Sequence, residues 1–235
     1  MQVRNSIRKF SHVVMCGWTR ILAAFLLCAA IASAASAQTF VILRYFSGPD
    51  GSFPINPLVQ GLDGKWYGTT RAGGANFGTG CLNGGGCGTV FKIGRYGALT
   101  TLYNFCSQTN CSDGAYPNDL AGGVYGSFYG VAAGDGTAGD GNRPTSKPGT
   151  AFRFTPDAPE ATLYTFCALA NCTDGSFPNS LIQGWDGSFH GTTTWGGGGV
   201  FGNGTVYRLT AGGKLTTTHT FAFSQNVRMV LGRGI

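Results

Sequence analysis

The sequence predicts an all-β protein made of antiparallel four-stranded repeat units, β-propeller-like, and three observations carry that expectation. The signal Asp-Gly-x-aromatic-Pro opens at Asp50, Asp113 and Asp174, 63 and 61 residues apart, a period slightly longer than a propeller blade but of that order. Between the signals lie short runs rich in β-branched and aromatic residues, bounded by glycine turns. No stretch of the repeat region shows helical apolar spacing. A chain of 235 residues with 43% hydrophobic content can bury one such core. Its 40 glycines have no collagen period and fall at fixed repeat positions, which makes them turn residues.

Taken in order, the chain begins as an export signal. Arg4, Arg8, Lys9 and Arg20 precede an apolar run from Ile21 to Ala34, and Ala35-Ser36-Ala37 supplies a cleavage site, so residues 1–37 read as a signal peptide. A retained membrane anchor is the alternative. Removing the signal lowers the formal charge from +6 to +2, with 12 basic against 10 acidic residues, and a nucleic-acid partner loses its support. The mature chain carries no membrane span and is expected outside the cytoplasm, extracellular or periplasmic. Cell-surface attachment is not supported by this chain.

Thr39 to Phe46 reads as a lone strand, matching the last strand of each later unit (Leu99 to Phe105, Ala161 to Phe166). The first unit then gives four strands, Pro57 to Gly61, Lys65 to Thr70, Thr89 to Ile93 and Ala98 to Phe105. Asp63-Gly64 and Arg95-Tyr96-Gly97 supply tight turns. A β-solenoid is the rival, but its coils are shorter and lack three hairpin turns per unit. The units span about 50–105, 113–166 and 174–221 within a repeat domain of 38–221, and 222–235 reads as an irregular, truncated tail. Three full blades plus one orphan strand make an open or incomplete array, whose bare edges invite self-association.

Cys16 and Cys28 leave with the signal, and the remaining six cysteines of an exported chain read as disulfides. Cys106 and Cys111 recur at the repeat positions of Cys167 and Cys172, so equivalent pairs should close equivalently, leaving Cys81 with Cys87. A four-thiolate zinc site from Cys106, Cys111, Cys167 and Cys172 lacks the Cys-x-x-Cys spacing such sites use.

The run Asp63-Gly64-Lys65-Trp66-Tyr67-Gly68-Thr69-Thr70, followed by Gly73-Gly74 and Gly88-Thr89-Val90-Phe91-Lys92, resembles the unit of the GloVer tandem-repeat proteins. These are secreted bacterial proteins with varied C-terminal anchors, and the resemblance covers about residues 39–221. It implies an extracellular propeller-like array and assigns no catalytic residue. Three features depart from the pattern: Tyr125 stands where the other units have Asp63 and Asp186, His190 replaces Tyr67 and Tyr129, and no C-terminal anchor is visible.

In a meander, the second-to-third connections and the links between units share one face, and that loop face collects the length variation and all three disulfides. Variable, stapled loops on a regular scaffold are where ligands usually bind. The opposite face carries short turns and reads as structural. Candidate ligand-binding residues are therefore Trp195, Arg71, Asp135 and Asp140. Trp195 stands out because its first-unit counterpart is Ala72 and glycines flank it. Asp135, Asp140 and Asn142 lie in an oxygen-rich, glycine-flexed loop, which leaves calcium as the one cofactor to consider, though the EF-hand register is missing. Asp50, Asp113 and Asp174 read as Asx-turns. His190 and His219 read as packed. No nucleophile motif occurs, and a propeller hydrolase or lyase acting on polysaccharide would need two of Asp135, Asp140 and Asp186 to converge. The expectation is a secreted, non-catalytic binding or surface-interaction module for carbohydrate or protein. The exported chain is expected to begin at Gln38 with three nearest-neighbour disulfides. Peptide mapping of a non-reduced digest checks both, and a link from Cys81 to any cysteine but Cys87 would refute the pairing.

Overall fold

The computed structural model describes residues 39–76, 81, 85–134, 149–198 and 202–221. Two contact units divide the chain at residue 42. Of the first, residues 39–42 are exposed and outside any sheet. The expected signal peptide and tail lie outside the described residues. No helix among the described residues is long and apolar enough to cross a membrane.

The second unit holds three four-stranded antiparallel sheets, each in simple chain order among the described residues. The first comprises β1 (Val59–Gln60), β2 (Trp66–Thr70), β3 (Thr89–Ile93) and β4 (Leu99–Asn104). The second comprises β5 (Ala115–Gly122), β6 (Phe128–Gly134), β7 (Thr150–Thr155) and β8 (Ala158–Thr165). The third comprises β9 (Ser176–Gln183), β10 (Phe189–Trp195), β11 (Thr205–Leu209) and β12 (Leu215–Thr220). Register repeats with the sequence: Tyr67 faces Lys92, Tyr129 faces Arg153, and His190 faces Arg208. These are three propeller-like blades in an open array, as the period implied.

Two elements differ from expectation. The first strand of the first sheet shrinks to two residues, because Pro54 and Pro57 both lack the N–H a ladder needs and this unit carries one extra residue. A lone Ser52–Ala72 bridge is what remains of the pairing made by Ala115 with Gly134 and by Ser176 with Trp195. Pro117 and Pro178 are tolerated in β5 and β9 because each sits at a register shift. The expected strand from Thr39 to Phe46 forms no ladder, since no strand lies beside it among the described residues. Phe46 nevertheless keeps its repeat contact.

That contact is one of two that fasten consecutive sheets. Phe46 meets Phe91 edge-on at 5.1 Å and 67°, Phe105 meets Phe152 at 5.1 Å and 66°, and Phe166 meets Tyr207 at 5.1 Å and 67°. Beside them Tyr67 stacks on Phe128 at 4.3 Å, and Tyr129 stacks on Phe189 at 4.1 Å. Each such ring pair adds about 0.5–1.5 kcal/mol beyond the area it buries. They centre two cores, one between the first and second sheets with Val90, Leu120 and Phe152, the other between the second and third with Val131, Leu181 and Tyr207.

Asp113 and Asp174 are fully buried and do not form the Asx-turns their Asp-Gly context suggested. Each carboxylate instead reaches back into the preceding link. Tyr103 OH (2.7 Å) and the Ser107 N–H (2.9 Å) donate to Asp113, and Tyr164 OH (2.7 Å) and the Ala168 N–H (2.8 Å) donate to Asp174. A buried carboxylate must find donors, and a tyrosine hydroxyl with strand-end amides offers more of them than its own turn. The glycine that follows allows the close approach: Gly175 has φ +90°, and a Cβ there would lie 2.5 Å from Thr205 Oγ1. Disulfides Cys81–Cys87, Cys106–Cys111 and Cys167–Cys172 all form, with the last two stapling the loops that the aspartates anchor.

Glu160 breaks the repeat. It takes the place of Leu99 and Leu215, is 6% exposed, and its Oε2 has no hydrogen-bond partner among the described residues. Burial, with the charge of Asp113, pushes its carboxyl up to about 7 against the pull of the Thr162 and Tyr103 hydroxyls. The native state therefore holds a proton that the unfolded chain, with a value of 4.5, has released. Stability falls as pH rises from 4.5 to about 7 and levels off above. Glu160→Leu is expected to raise the melting temperature more at pH 8 than at pH 5. Calorimetry at the two pH values checks this, and an equal gain at both would remove the assignment.

Candidate functional site

The site grows from three copies of one turn, joining the first and second strands of each sheet. Turns 61–64, 123–126 and 184–187 close alike: the Gly61, Gly123 and Gly184 N–H groups donate to the carbonyls of Lys65 (2.9 Å), Ser127 (2.8 Å) and Ser188 (2.7 Å). Gly64, Gly126 and Gly187 end them at φ +73°, +73° and +78°. In the outer two turns the third residue is aspartate, which braces its own turn. Asp63 Oδ1 accepts from the Lys65 N–H at 3.1 Å and Asp186 Oδ1 from the Ser188 N–H at 3.0 Å. The middle turn has Tyr125, which has no such acceptor. Tyr125 is held at φ +56° with 95% of its surface exposed. A bulky residue there costs about 1–2 kcal/mol of backbone strain, and little packing of the ring offsets it.

Tyr125 stands at the rim of a cleft of about 490 Å³ between the turn ends of the first two sheets, lined also by Asp63, Lys65, Tyr67, Lys92 and Asp157. Phe128, stacked under Tyr67, closes the inner wall. Tyr67 OH donates to Asp63 Oδ2 at 3.0 Å, and Lys65 Nζ lies 3.7 Å from the same oxygen. Slight burial works against the carboxylate of Asp63, but the Lys65 N–H, the Tyr67 hydroxyl and the charges of Lys65 and Lys92 hold it below its usual range. Burial, the Asp63 hydrogen bond and the charges of Asp63 and Asp157 push the Tyr67 hydroxyl up to about 12. Neither group exchanges protons near neutrality, so the pair positions rather than titrates. The side chains of Lys92 and Asp157 make no hydrogen bond or ion pair among the described residues. The cleft thus offers one ammonium and one carboxylate to a ligand, an apolar wall, an exposed ring, and balanced charge.

The equivalent place on the third sheet is closed by its own charges. Arg208 donates to Asp186 Oδ2 from Nε (3.2 Å) and Nη2 (2.9 Å), and His190 Nε2 lies 3.8 Å from Asp186 Oδ1. Trp185, at the tip of that turn, is fully exposed.

Arg71 and Trp195, two of the residues expected to bind ligand, do not line this cleft. Arg71 is half-buried and donates to Asn118 Oδ1 at 3.4 Å. Trp195 is half-buried at the loop end of β10, where its carbonyl accepts from Thr193 Oγ1 at 2.9 Å. Asp135, Asp140 and Asn142 fall outside the described residues. A smaller cavity of about 240 Å³, lined by Cys111, Gly114 and Thr150, opens on that loop face. The sulfurs of Cys81, Cys87 and Cys106 lie within 4.8 Å of one another but are committed to disulfides. Of the acids proposed as a catalytic pair, Asp186 is held by Arg208. The break at Tyr125 was visible in the repeat, whereas the convergence of Lys92 and Asp157 from different sheets was not.

No family model and no curated protein matches the chain. Among solved structures it is similar to a luciferin-regenerating enzyme, at 12% identity and TM-score 0.43 over 71% of this chain and 45% of that one. It is also similar to a gluconolactonase from Xanthomonas campestris, at 16% identity and TM-score 0.40 over 70% and 46%. A third is a GH43 β-1,3-galactosidase with galactodeoxynojirimycin, at 12% identity and TM-score 0.40 over 71% and 46%. The chain spans less than half the length of each. At such identities the likeness is one of chain path, not of chemistry.

Tyr125→Gly is expected to raise stability by roughly 1 kcal/mol, because glycine takes positive φ without strain. Urea denaturation measures the difference, and a loss of stability would mean that the ring is held by packing after all.

Proposed function

We propose that the protein is an exported, non-catalytic binding module of the GloVer repeat type, with a carbohydrate as ligand in the turn-face cleft. The observation that carries this reading is Tyr125, an aromatic ring kept exposed at the cost of backbone strain, beside a cleft in which the side chains of Lys92 and Asp157 make no hydrogen bond or ion pair among the described residues. Sugars combine an apolar ring face with hydroxyls that both donate and accept, and this cleft complements both sides of that chemistry. Tyr125 stacks on the ring face, while the Lys92 ammonium donates to hydroxyl oxygens and the Asp157 carboxylate accepts from O–H groups. A volume of about 490 Å³ fits a small ligand better than a protein surface, which needs a broad complementary patch.

One stacked ring contributes about 0.5–1.5 kcal/mol and each net hydrogen bond about 1 kcal/mol. Affinity for a single sugar unit is therefore modest, near the millimolar range. A glycan array with wild type, Tyr125→Ala and Lys92→Ala tests the site. Each substitution is expected to lower binding at least fivefold, while Trp195→Ala leaves it unchanged. Loss on Trp195→Ala alone would return the site to the loop face, and turnover of a retained glycan would overturn the non-catalytic reading.

A further inference from the structure

The turn at which Tyr125 sits is repeated on both neighbouring sheets, and all three tips present large apolar side chains to solvent. Leu62, Val124 and Trp185 occupy the same turn position and are exposed by 86%, 55% and 101%. Turn tips of this kind ordinarily carry small polar residues that bond their own backbone. In the outer two turns that duty passes to the aspartate one place on, and in all three the tip itself is left apolar. The three turns share one closing hydrogen bond and a left-handed glycine; the outer two also share a second bond, from Gly64 and Gly187 N–H to the Gly61 and Gly184 carbonyls, whereas the middle turn closes from the Ser127 N–H to the Val124 carbonyl. The first two are continuous: a Cβ added to Gly126 would lie 3.6 Å from Leu62 Cδ1, an ordinary contact distance. Trp185 on the third turn touches nothing that would cover it.

Resting on the carbohydrate reading, we propose that the ligand is an extended, uncharged, β-linked hexose polymer that runs from the cleft across the turn tips, with Trp185 as a second stacking platform. Three features select this class. The charges lining the cleft cancel, Lys65 and Lys92 against Asp63 and Asp157, so no net charge is asked of the ligand. Exposed rings on successive turns of one face, Tyr125 and Trp185, match a chain that offers the same flat apolar face at intervals, which β-linked hexoses do and strongly bent chains do not. A single exposed ring over an open cleft binds weakly, and a second contact on the same chain acts at high effective concentration and multiplies affinity without new chemistry.

The test uses the oxidised full chain and six probes: the di- and hexasaccharides of β-1,4-glucan, β-1,4-mannan and β-1,4-linked N-acetylglucosamine, with binding measured by calorimetry. In at least one series the hexasaccharide is expected to bind tenfold or more tighter than the disaccharide. Trp185→Ala should remove that gain and leave disaccharide binding unchanged, whereas Tyr125→Ala should weaken both. Because Trp185 is fully exposed, its replacement leaves the core intact, and an unchanged melting temperature verifies this. Equal affinity for short and long probes overturns the extended site while leaving the cleft in place. A Trp185→Ala variant that keeps the length gain does the same. Failure of every probe on the wild type overturns both the polymer and the cleft that it enters.

Discussion

Everything in this molecule depends on one ring lying on another across a gap whose backbone bridging is confined to the loop end, where the Tyr116 N–H donates to the Cys87 carbonyl at 2.8 Å. Each sheet satisfies its ladders internally, so consecutive sheets are joined mainly by side-chain faces, with Tyr67 on Phe128 and Tyr129 on Phe189 at the centre. Edge contacts such as Phe105 to Phe152 lock the outer strand of one sheet over the next. Dispersion and apolar burial do this work, and both fall steeply with separation. Small polar contacts then fix the alignment. Asn56 Nδ2 reaches the Pro117 carbonyl at 3.5 Å, Asn118 Nδ2 reaches that of Pro178 at 3.0 Å, and Asp119 Oδ2 accepts from the Leu181 N–H at 3.1 Å.

The same repetition explains why the links between sheets are rigid where loops usually are not. A buried aspartate, a tyrosine hydroxyl and a six-residue disulfide loop converge at each link. Asp113 and Asp174 are too well supplied with donors to serve as ligands for a cation. The loop face is thus braced by the same contacts that anchor the links. The turn face, held only by its short hydrogen-bonded turns, is free to carry side chains chosen for something other than packing. Tyr125 and Trp185 are the two places where that freedom is most visible.

Deviations from the repeat are the most informative positions, and they divide by burial. Glu160 takes the place of half-buried leucines and costs stability as pH rises, because its buried carboxyl lacks a full set of partners. His190 replaces a tyrosine on a half-exposed face of the third sheet, where its Nε2 lies 3.8 Å from the Asp186 carboxylate. Ile182 lies on the same face: it is 69% exposed, while its counterparts Val59 and Ala121 pack against the next sheet.

Much of the fold was legible in the sequence because a repeat shows its own alignment. Period, turns and alternation determined four strands per unit, and equivalent spacing determined which cysteines pair. Those are local facts, set by backbone geometry within some ten residues. The sequence did not determine where the buried aspartates point, since their donors come from the strand before the turn. Nor did it place the cleft. The short-turn face looked structural because each turn is regular in isolation, and the loop face drew attention through its variation. Only the packing of one sheet on the next brings Lys92 from β3, Asp157 from the β7–β8 turn and Tyr125 from the β5–β6 turn to one cleft. That convergence is a property of the angle and distance between sheets, which buried rings decide and which no spacing along the chain records.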